Sequence, residues 1–197
     1  MHMSAHRLEP DTVLLAYTQG AFPMTDRDGV TRWYTADPRG VIPLSGFHIP
    51  RTLQQVVRQK RFDLRINHDF PKTMRACMTA HPGGSWISED LIRVYTELHD
   101  MGFAHSVEAW KDGELVGGLY GVTIGGAFFG ESMFHFQRDA SKVALVHLVA
   151  RLRERKFTLL DTQAATSHLE RFGCIELPAD EYMSRLRKAL NLQRKFD

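Results

Sequence analysis

Between residues 104 and 163 apolar runs alternate with sharp punctuation, and that pattern leaves few folds open to the chain. Residues 105–110 alternate apolar and polar side chains. Asp112-Gly113 is a two-residue hairpin signal, and residues 114–124 form a second strand-like run. Gly125-Gly126 turns the chain again into a third run, residues 127–134. Residues 140–154, introduced by Asp139 as an N-cap, are apolar almost all round and predict a helix covered on two sides. A further apolar strand, residues 157–163, follows. Three antiparallel strands and then a strand–helix–strand crossover is an α+β arrangement, and the crossover should be right-handed and parallel.

The rest of the chain is helical or turn-rich. Residues 10–19 predict a short helix with Asp11 as N-cap and Gly20 as its stop. Residues 21–47 carry turn signals at Asp28-Gly29, Asp37-Pro38 and Arg39-Gly40. Pro50 and Pro71 open helices that run to about residues 60 and 78, since proline suits a first helical turn. His81-Pro82-Gly83-Gly84 is a loop, and Ser88 caps a helix over 89–101. Helices over about 166–172 and 180–190 close the chain.

At 197 residues the chain can bury roughly 70% of its unfolded surface, so its core needs no staples. Two cysteines give no disulfide framework, and ten histidines show no metal-ligand spacing, so no metal site is expected. No apolar run approaches the ~18 residues of a membrane span, and the first residues lack the apolar segment of a signal peptide. A reducing, cytoplasmic setting is the expectation.

Net charge is only +2, but basic side chains cluster. Arg51, Arg58, Lys60, Arg61, Arg65, Lys72 and Arg75 stand against Asp63 and Asp69, and Arg151, Arg153, Arg155 and Lys156 form a second island broken by Glu154. Such islands can track a phosphate backbone, or can simply be solvated helix faces. Charge alone leaves both open.

Chemistry concentrates at Glu131, Asp161 and Gln163. Strict alternation puts Phe129, Glu131 and Met133 on one face of their strand, with Phe128, Gly130 and Ser132 on the other. A carboxylate within AFFGESMF is costly to bury without a partner. Asp161 and Gln163 lie at the C-terminal end of the parallel neighbour, the edge where ligands commonly bind in open α/β sheets. The plainer possibility is that Glu131 pairs with an internal arginine and Asp161 merely ends its strand. Together the three are suited to acyl transfer, where an amine must lose a proton and a carbonyl must be held. Trp86, after Gly83-Gly84-Ser85, is either a packing lid or a stacking platform for a base. The glycines at 117, 118, 121, 125, 126 and 130 fit neither a dinucleotide fingerprint nor a P-loop, and are better explained by bulges or close backbone approach.

A series of motifs then narrows the reading. GAFPM at 20–24, WYTADPRGVIPL at 33–44, FHIPRTL at 47–53, WISEDL at 86–91 and GFAHSVEAW at 102–110 occur in order. LVGGLYGV at 115–122, FFGESMF at 128–134, ASKVALVHL at 140–148 and LLDTQ at 159–163 complete it. From about Leu14 to the last helix the chain resembles the leucyl/phenylalanyl-tRNA–protein transferases. The resemblance implies an acetyltransferase-like (GNAT) catalytic domain over 47–197 and a small N-terminal lobe over 1–46. It also implies an enzyme that moves Leu or Phe, with Met as a third candidate, from aminoacyl-tRNA to the α-amino group of proteins beginning with Arg or Lys. That modification marks the acceptor for degradation by the N-end rule. No cofactor is expected, because the tRNA ester is already activated, and a monomer is expected. By matching motif, Glu131, Asp161 and Gln163 are the catalytic and acceptor-binding residues. Asp161 with Gln163 would position the amine and draw off its proton, and Glu131 would hold a cationic group. Leu119, Phe128, Leu145, Leu148 and Leu160 match the apolar pocket for the esterified side chain. Trp86 matches an aromatic beside the terminal adenosine, with Tyr17 and Tyr95 near the same cleft. Met24 stands where other members carry Trp, on the other side of that adenosine. Arg51, Arg58, Lys60 and Arg61 are the expected tRNA-binding residues.

Two other readings fit parts of the sequence. A conventional acyl-CoA N-acyltransferase would use the same fold, and a non-catalytic RNA-binding module would use only the basic islands. Neither accounts for the motif series.

Overall fold

A computed structural model describes residues 7–80 and 83–197. In chain order the elements are α1 (Pro10–Thr18), β1 (Phe22–Thr25), β2 (Thr31–Tyr34), β3 (Arg39–Val41), α2 (Arg51–Arg58), β4 (Asp63–Ile66), α3 (Phe70–Thr79) and α4 (Glu89–Asp100). They continue with β5 (Ala104–Lys111), β6 (Glu114–Ile124), β7 (Ala127–His135), α5 (Ala140–Glu154), β8 (Leu159–Gln163), α6 (Ser167–Glu170), β9 (Ile175–Leu177) and α7 (Ala179–Leu190). His81 and Pro82, half of the expected 81–84 loop, lie outside the described residues.

The expected α+β architecture is present as a seven-stranded mixed sheet in the order β4-β5-β6-β7-β8-β3-β9, with helices on both faces. β5, β6 and β7 form the antiparallel meander, and α5 carries the chain across to β8, which lies parallel to β7. The hairpin turn at Asp112-Gly113 works because both residues take the left-handed conformation, with φ of 52° and 80°.

α5 is covered on two sides, as its sequence demands. It packs on β5, β6 and β7 and against α2, and its Val143, Ala144, Leu145, Leu148, Val149 and Leu152 enter one core with Phe128, Phe157, Leu160 and Phe196. On the opposite face, α1, α3, α4 and α7 enclose a second core around Tyr17, Met74, Leu91, Tyr95, Leu98, Tyr120 and Phe129. Each fully buried Leu or Phe stabilises by about 1.5–3 kcal/mol relative to exposure, so these two layers fix the sheet between them.

Several local expectations need correction. Glu9, not Asp11, is the N-cap of α1, and Asp11 sits in the first turn. Asp139 does stand at the N-cap of α5, but in a left-handed conformation with no capping hydrogen bond; its carboxylate takes Lys142 Nζ at 2.9 Å instead. β8 begins at Leu159 rather than 157. Strict alternation fails in β7: Tyr120 faces Ser132 and Gly121 faces Gly130, so Glu131 is the extra residue of a bulge. Strands β4, β3 and β9 were not anticipated. Of these, β3 lies within residues 1–46, yet it pairs antiparallel with both β8 and β9 of the large sheet. β1 and β2 form a separate two-stranded hairpin. Among the described residues no helix is long and apolar enough to cross a membrane, and no three His, Cys, Asp or Glu side chains gather where a metal could bind.

Candidate active site

The site lies where two parallel strands part. β7 and β8 pair through Ala127–Leu159, Phe128–Leu160 and Phe129–Asp161, and no further, although both strands run on. The bulge at Glu131 bends β7 away, and beyond Asp161 the second strand pairs with Gly40 of β3 instead. A hollow of about 460 Å³ opens at this divergence. Its apolar lining is Leu119, Met133, Leu145, Leu148, Leu160 and Leu169; Tyr120, Glu131, Ser132, Thr162 and Gln163 supply polar groups, with Trp86 among the lining side chains. Four consecutive β7 residues, Gly130 to Met133, line it, which alternation would forbid and the bulge permits.

Glu131 is wedged between two hydrogen-bond donors. Its Oε1 accepts from the Tyr17 hydroxyl at 2.6 Å and from Gln163 Nε2 at 3.2 Å. The Tyr17 hydroxyl is also hydrogen-bonded to that of Tyr95, and both rings are fully buried. Among the described residues Glu131 Oε2 is buried with no partner, and so is the Tyr120 hydroxyl. Burial raises the Glu131 carboxyl to about 7, against the opposing pull of the Tyr17 hydrogen bond and with a further push from the Asp161 charge. Burial likewise holds Tyr17, Tyr95 and Tyr120 well above the usual phenol range. A carboxyl poised near neutrality beside an unpaired buried oxygen suits a cation or a proton brought by a ligand.

Asp161 occupies a different position. It is fully buried, and Arg39 grips it through Nε to Oδ1 at 3.0 Å and a terminal guanidinium nitrogen to Oδ2 at 2.7 Å. Tyr182 donates its hydroxyl to Oδ2 at 2.6 Å, and the Gln163 backbone N–H donates to Oδ1 at 2.7 Å. Arg39 is itself sandwiched between the rings of Phe22 and Tyr182, 5.0 and 4.6 Å from their centroids, and donates to the Gly20 carbonyl. Burial disfavours its charge, but the Asp161 hydrogen bonds and the Asp161 charge, with smaller help from Tyr182 and Glu131, together outweigh it, so its pKa ends above the usual arginine value. The internal arginine considered as a partner for Glu131 therefore belongs to Asp161. Asp161 does not line the hollow.

What Asp161 holds is the backbone of Gln163. Gln163 has φ of 65°, and the Ala164 N–H reaches the Thr162 carbonyl at 2.7 Å, which makes Gln163 the centre of a γ-turn of the strained hand. Gly40 lets β3 approach this turn: a Cβ there would meet the Ala164 carbonyl carbon at 2.3 Å and the Ala165 nitrogen at 2.5 Å. The turn aims the Gln163 side chain at Glu131.

Most expected residues converge here. Trp86, Leu119, Glu131, Leu145, Leu148, Leu160 and Gln163 line the hollow, while Tyr17 and Tyr95 lie behind Glu131. Phe128 sits in the core against Phe196 rather than in the lining, and Met24 packs against the other core from β1. Arg51, Arg58, Lys60 and Arg61 are exposed on and just after α2. Arg39, Tyr182 and Tyr120 were missed; an arginine opening the apolar run RGVIP was the one available signal for the first.

Comparison with known proteins places the chain in a family. A family model described as leucyl/phenylalanyl-tRNA protein transferase matches residues 41–187, and one for that protein's N-terminal domain matches residues 6–37. A leucyl/phenylalanyl-tRNA–protein transferase of Gloeobacter violaceus is 53% identical over 190 residues, covering 96% of this chain and 97% of that protein. One from Salinibacter ruber is 51% identical over 186 residues, covering 94% and 81% respectively. Among solved structures, a ribosomal-protein-alanine N-acetyltransferase from Brucella melitensis aligns with a TM-score of 0.40 and 17% identity over 56% of this chain and 84% of its own, too loose a likeness to carry an argument. With a family model spanning most of its length and relatives near half identity, the chain belongs to the leucyl/phenylalanyl-tRNA–protein transferases, a family of aminoacyltransferases.

Proposed function

We propose that the hollow receives the aminoacyl-adenosine end of leucyl- or phenylalanyl-tRNA, and that the amino acid passes to the α-amino group of a protein beginning with Arg or Lys. The single observation that carries this reading is Glu131: a carboxyl lining an apolar hollow, with one buried oxygen lacking any partner among the described residues and Gln163 at its other. An acceptor's guanidinium or ammonium group supplies the missing donor and favours the ionised carboxylate.

In this reading Leu119, Leu145, Leu148 and Leu160 hold the esterified side chain, and Trp86 stacks on the adenine. A pocket of this kind separates neighbouring apolar side chains by only about 1–3 kcal/mol, so Leu, Phe and Met are all expected as donors. The neutral α-amine attacks the ester carbonyl carbon. A C–N bond forms, the bond from that carbon to the ribose oxygen breaks, and the amine's proton ends on the departing ribose hydroxyl. Gln163, whose amide cannot keep a proton, accepts a hydrogen bond from the amine and orients it, while Asp161 fixes Gln163 from behind. The product carries Leu or Phe at its N-terminus, which would mark it for N-end rule degradation.

The direct experiment offers labelled leucyl-, phenylalanyl- and methionyl-tRNA with peptides beginning Arg, Lys, Asp and Glu. Transfer to Arg and Lys peptides alone is expected; transfer to Asp or Glu peptides, or none at all, contradicts the reading.

A further inference from the structure

A second cavity, of about 670 Å³, borders the first: His168 of α6 lines both. Its walls come from α2, the start of α5 and the turn after α6. Arg61, Arg138, Lys142 and Arg171 line it with His48 and His168, and Asp139 is the one acidic residue among its described lining. Asp139 is already engaged by Lys142 at 2.9 Å, with Arg138 at 3.7 Å. Cations from three separate segments thus converge on one concavity with a single carboxylate to balance them. Their field is felt at His168: burial lowers its basicity, and Lys142, Arg171 and His135 lower it further.

We infer that this basin binds the phosphodiester groups just upstream of the terminal adenosine of the donor tRNA, with Arg138 and Arg171 as the principal contacts opposite α2. The inference rests on the aminoacyl-adenosine reading of the apolar hollow, because a strand whose last nucleotide occupies that hollow can leave it past His168. A single strand delivers regularly spaced anions, and clustered guanidinium groups bind phosphate oxygens in paired hydrogen bonds. The basin also adds to the tRNA footprint of α2 a second wall that the basic islands of the sequence did not contain, since Arg138 and Arg171 lie outside both.

The test compares two donors in the intact protein, phenylalanyl-tRNA and 3′-O-phenylalanyl-adenosine, which has no upstream phosphate, with wild type and the double variant Arg138→Gln/Arg171→Gln. The expected result is that the ratio of kcat/KM for the tRNA to kcat/KM for the adenosine ester falls about tenfold or more. The slope of log K against log[salt] for tRNA binding should become shallower by about 1–1.5, as loss of two single-strand phosphate contacts requires. Arg138→Lys/Arg171→Lys should recover most of the salt slope. An unaltered ratio and slope would overturn the inference, as would equal losses with both donors. Coenzyme A that binds wild type at micromolar concentration, and is lost in the double variant while tRNA binding stays the same, would also overturn it. If wild type transfers from neither donor, the proposed activity fails; the salt slope for tRNA binding then judges the basin by itself.

Discussion

The Asp161 carboxylate accepts the backbone N–H of Gln163 at 2.7 Å while Arg39 grips its other side, so a buried ion pair holds a strained turn. Positioning, rather than contact with substrate, is the role this geometry suits. Removing Arg39 leaves a buried charge with weaker compensation, and Arg39→Met should cost about 3–5 kcal/mol in a chemical denaturation experiment. Arg39→Met/Asp161→Leu should recover much of that stability without recovering transfer. Recovered transfer in the double variant would detach Asp161 from the reaction.

Gly40 offers an independent handle on the same turn. Gly40→Ala drives a methyl group into the Ala164–Ala165 backbone. Overpacking should cost about 1–3 kcal/mol, and transfer should fall with kcat more than with the KM for tRNA. A variant with wild-type kcat would show that the turn tolerates displacement.

Glu131 makes the pH dependence specific. With its pKa raised from the usual carboxylate range to about 7, the folded protein holds a proton that the unfolded chain has released between about pH 4.5 and 7. Its contribution therefore favours folding less as pH rises through that window. Glu131→Gln should gain stability relative to wild type between pH 5 and pH 8, on the order of 1–2 kcal/mol after allowing for partial exposure. Calorimetric unfolding at the two pH values reads this directly; an equal difference at both would place the carboxyl in its ordinary range.

The same titration should appear in substrate recognition. For Arg-peptides KM should fall as pH rises through about 7, when Glu131 ionises, and this step should be missing in Glu131→Gln. Peptide α-amines titrate nearby in both proteins, so the variant supplies the control. A step that persists in the variant would belong to the amine alone.

Leu148, almost wholly buried in the hollow's wall, should govern donor choice. Leu148→Ala enlarges the hollow and should shift kcat/KM toward Phe over Leu by about tenfold or more, while lowering stability by about 2–5 kcal/mol. No shift in donor ratio would place the esterified side chain elsewhere.

The middle of the fold was legible because its signals are local. Asp112-Gly113 marks a turn by backbone conformation alone, and the helix from Ala140, apolar almost all round, announces that two of its sides are buried. The shortest strands were not, since β3 and β9 span three residues each and owe their strand geometry to partners far along the chain. Glu131 and Gln163 were legible as polar residues in apolar surroundings. The pairing of Arg39 with Asp161 joins residues 122 positions apart, and no spacing encodes it. The bulge at Glu131 is a matter of register against Tyr120 and Gly121 of β6, which the pattern within one strand does not carry, and it replaces the simple two-faced strand that alternation implies.

The central claim is that Glu131 and Gln163, at the mouth of an apolar hollow, carry the aminoacyl group to an amine. Single-turnover transfer from saturating phenylalanyl-tRNA to an Arg-peptide, measured beside tRNA affinity in Glu131→Gln and Gln163→Ala, tests it most directly. The account predicts rates at least about 100-fold below wild type in both variants, within the range of a lost catalytic contact, with tRNA affinity kept within about threefold. Rates near wild type in both would contradict it.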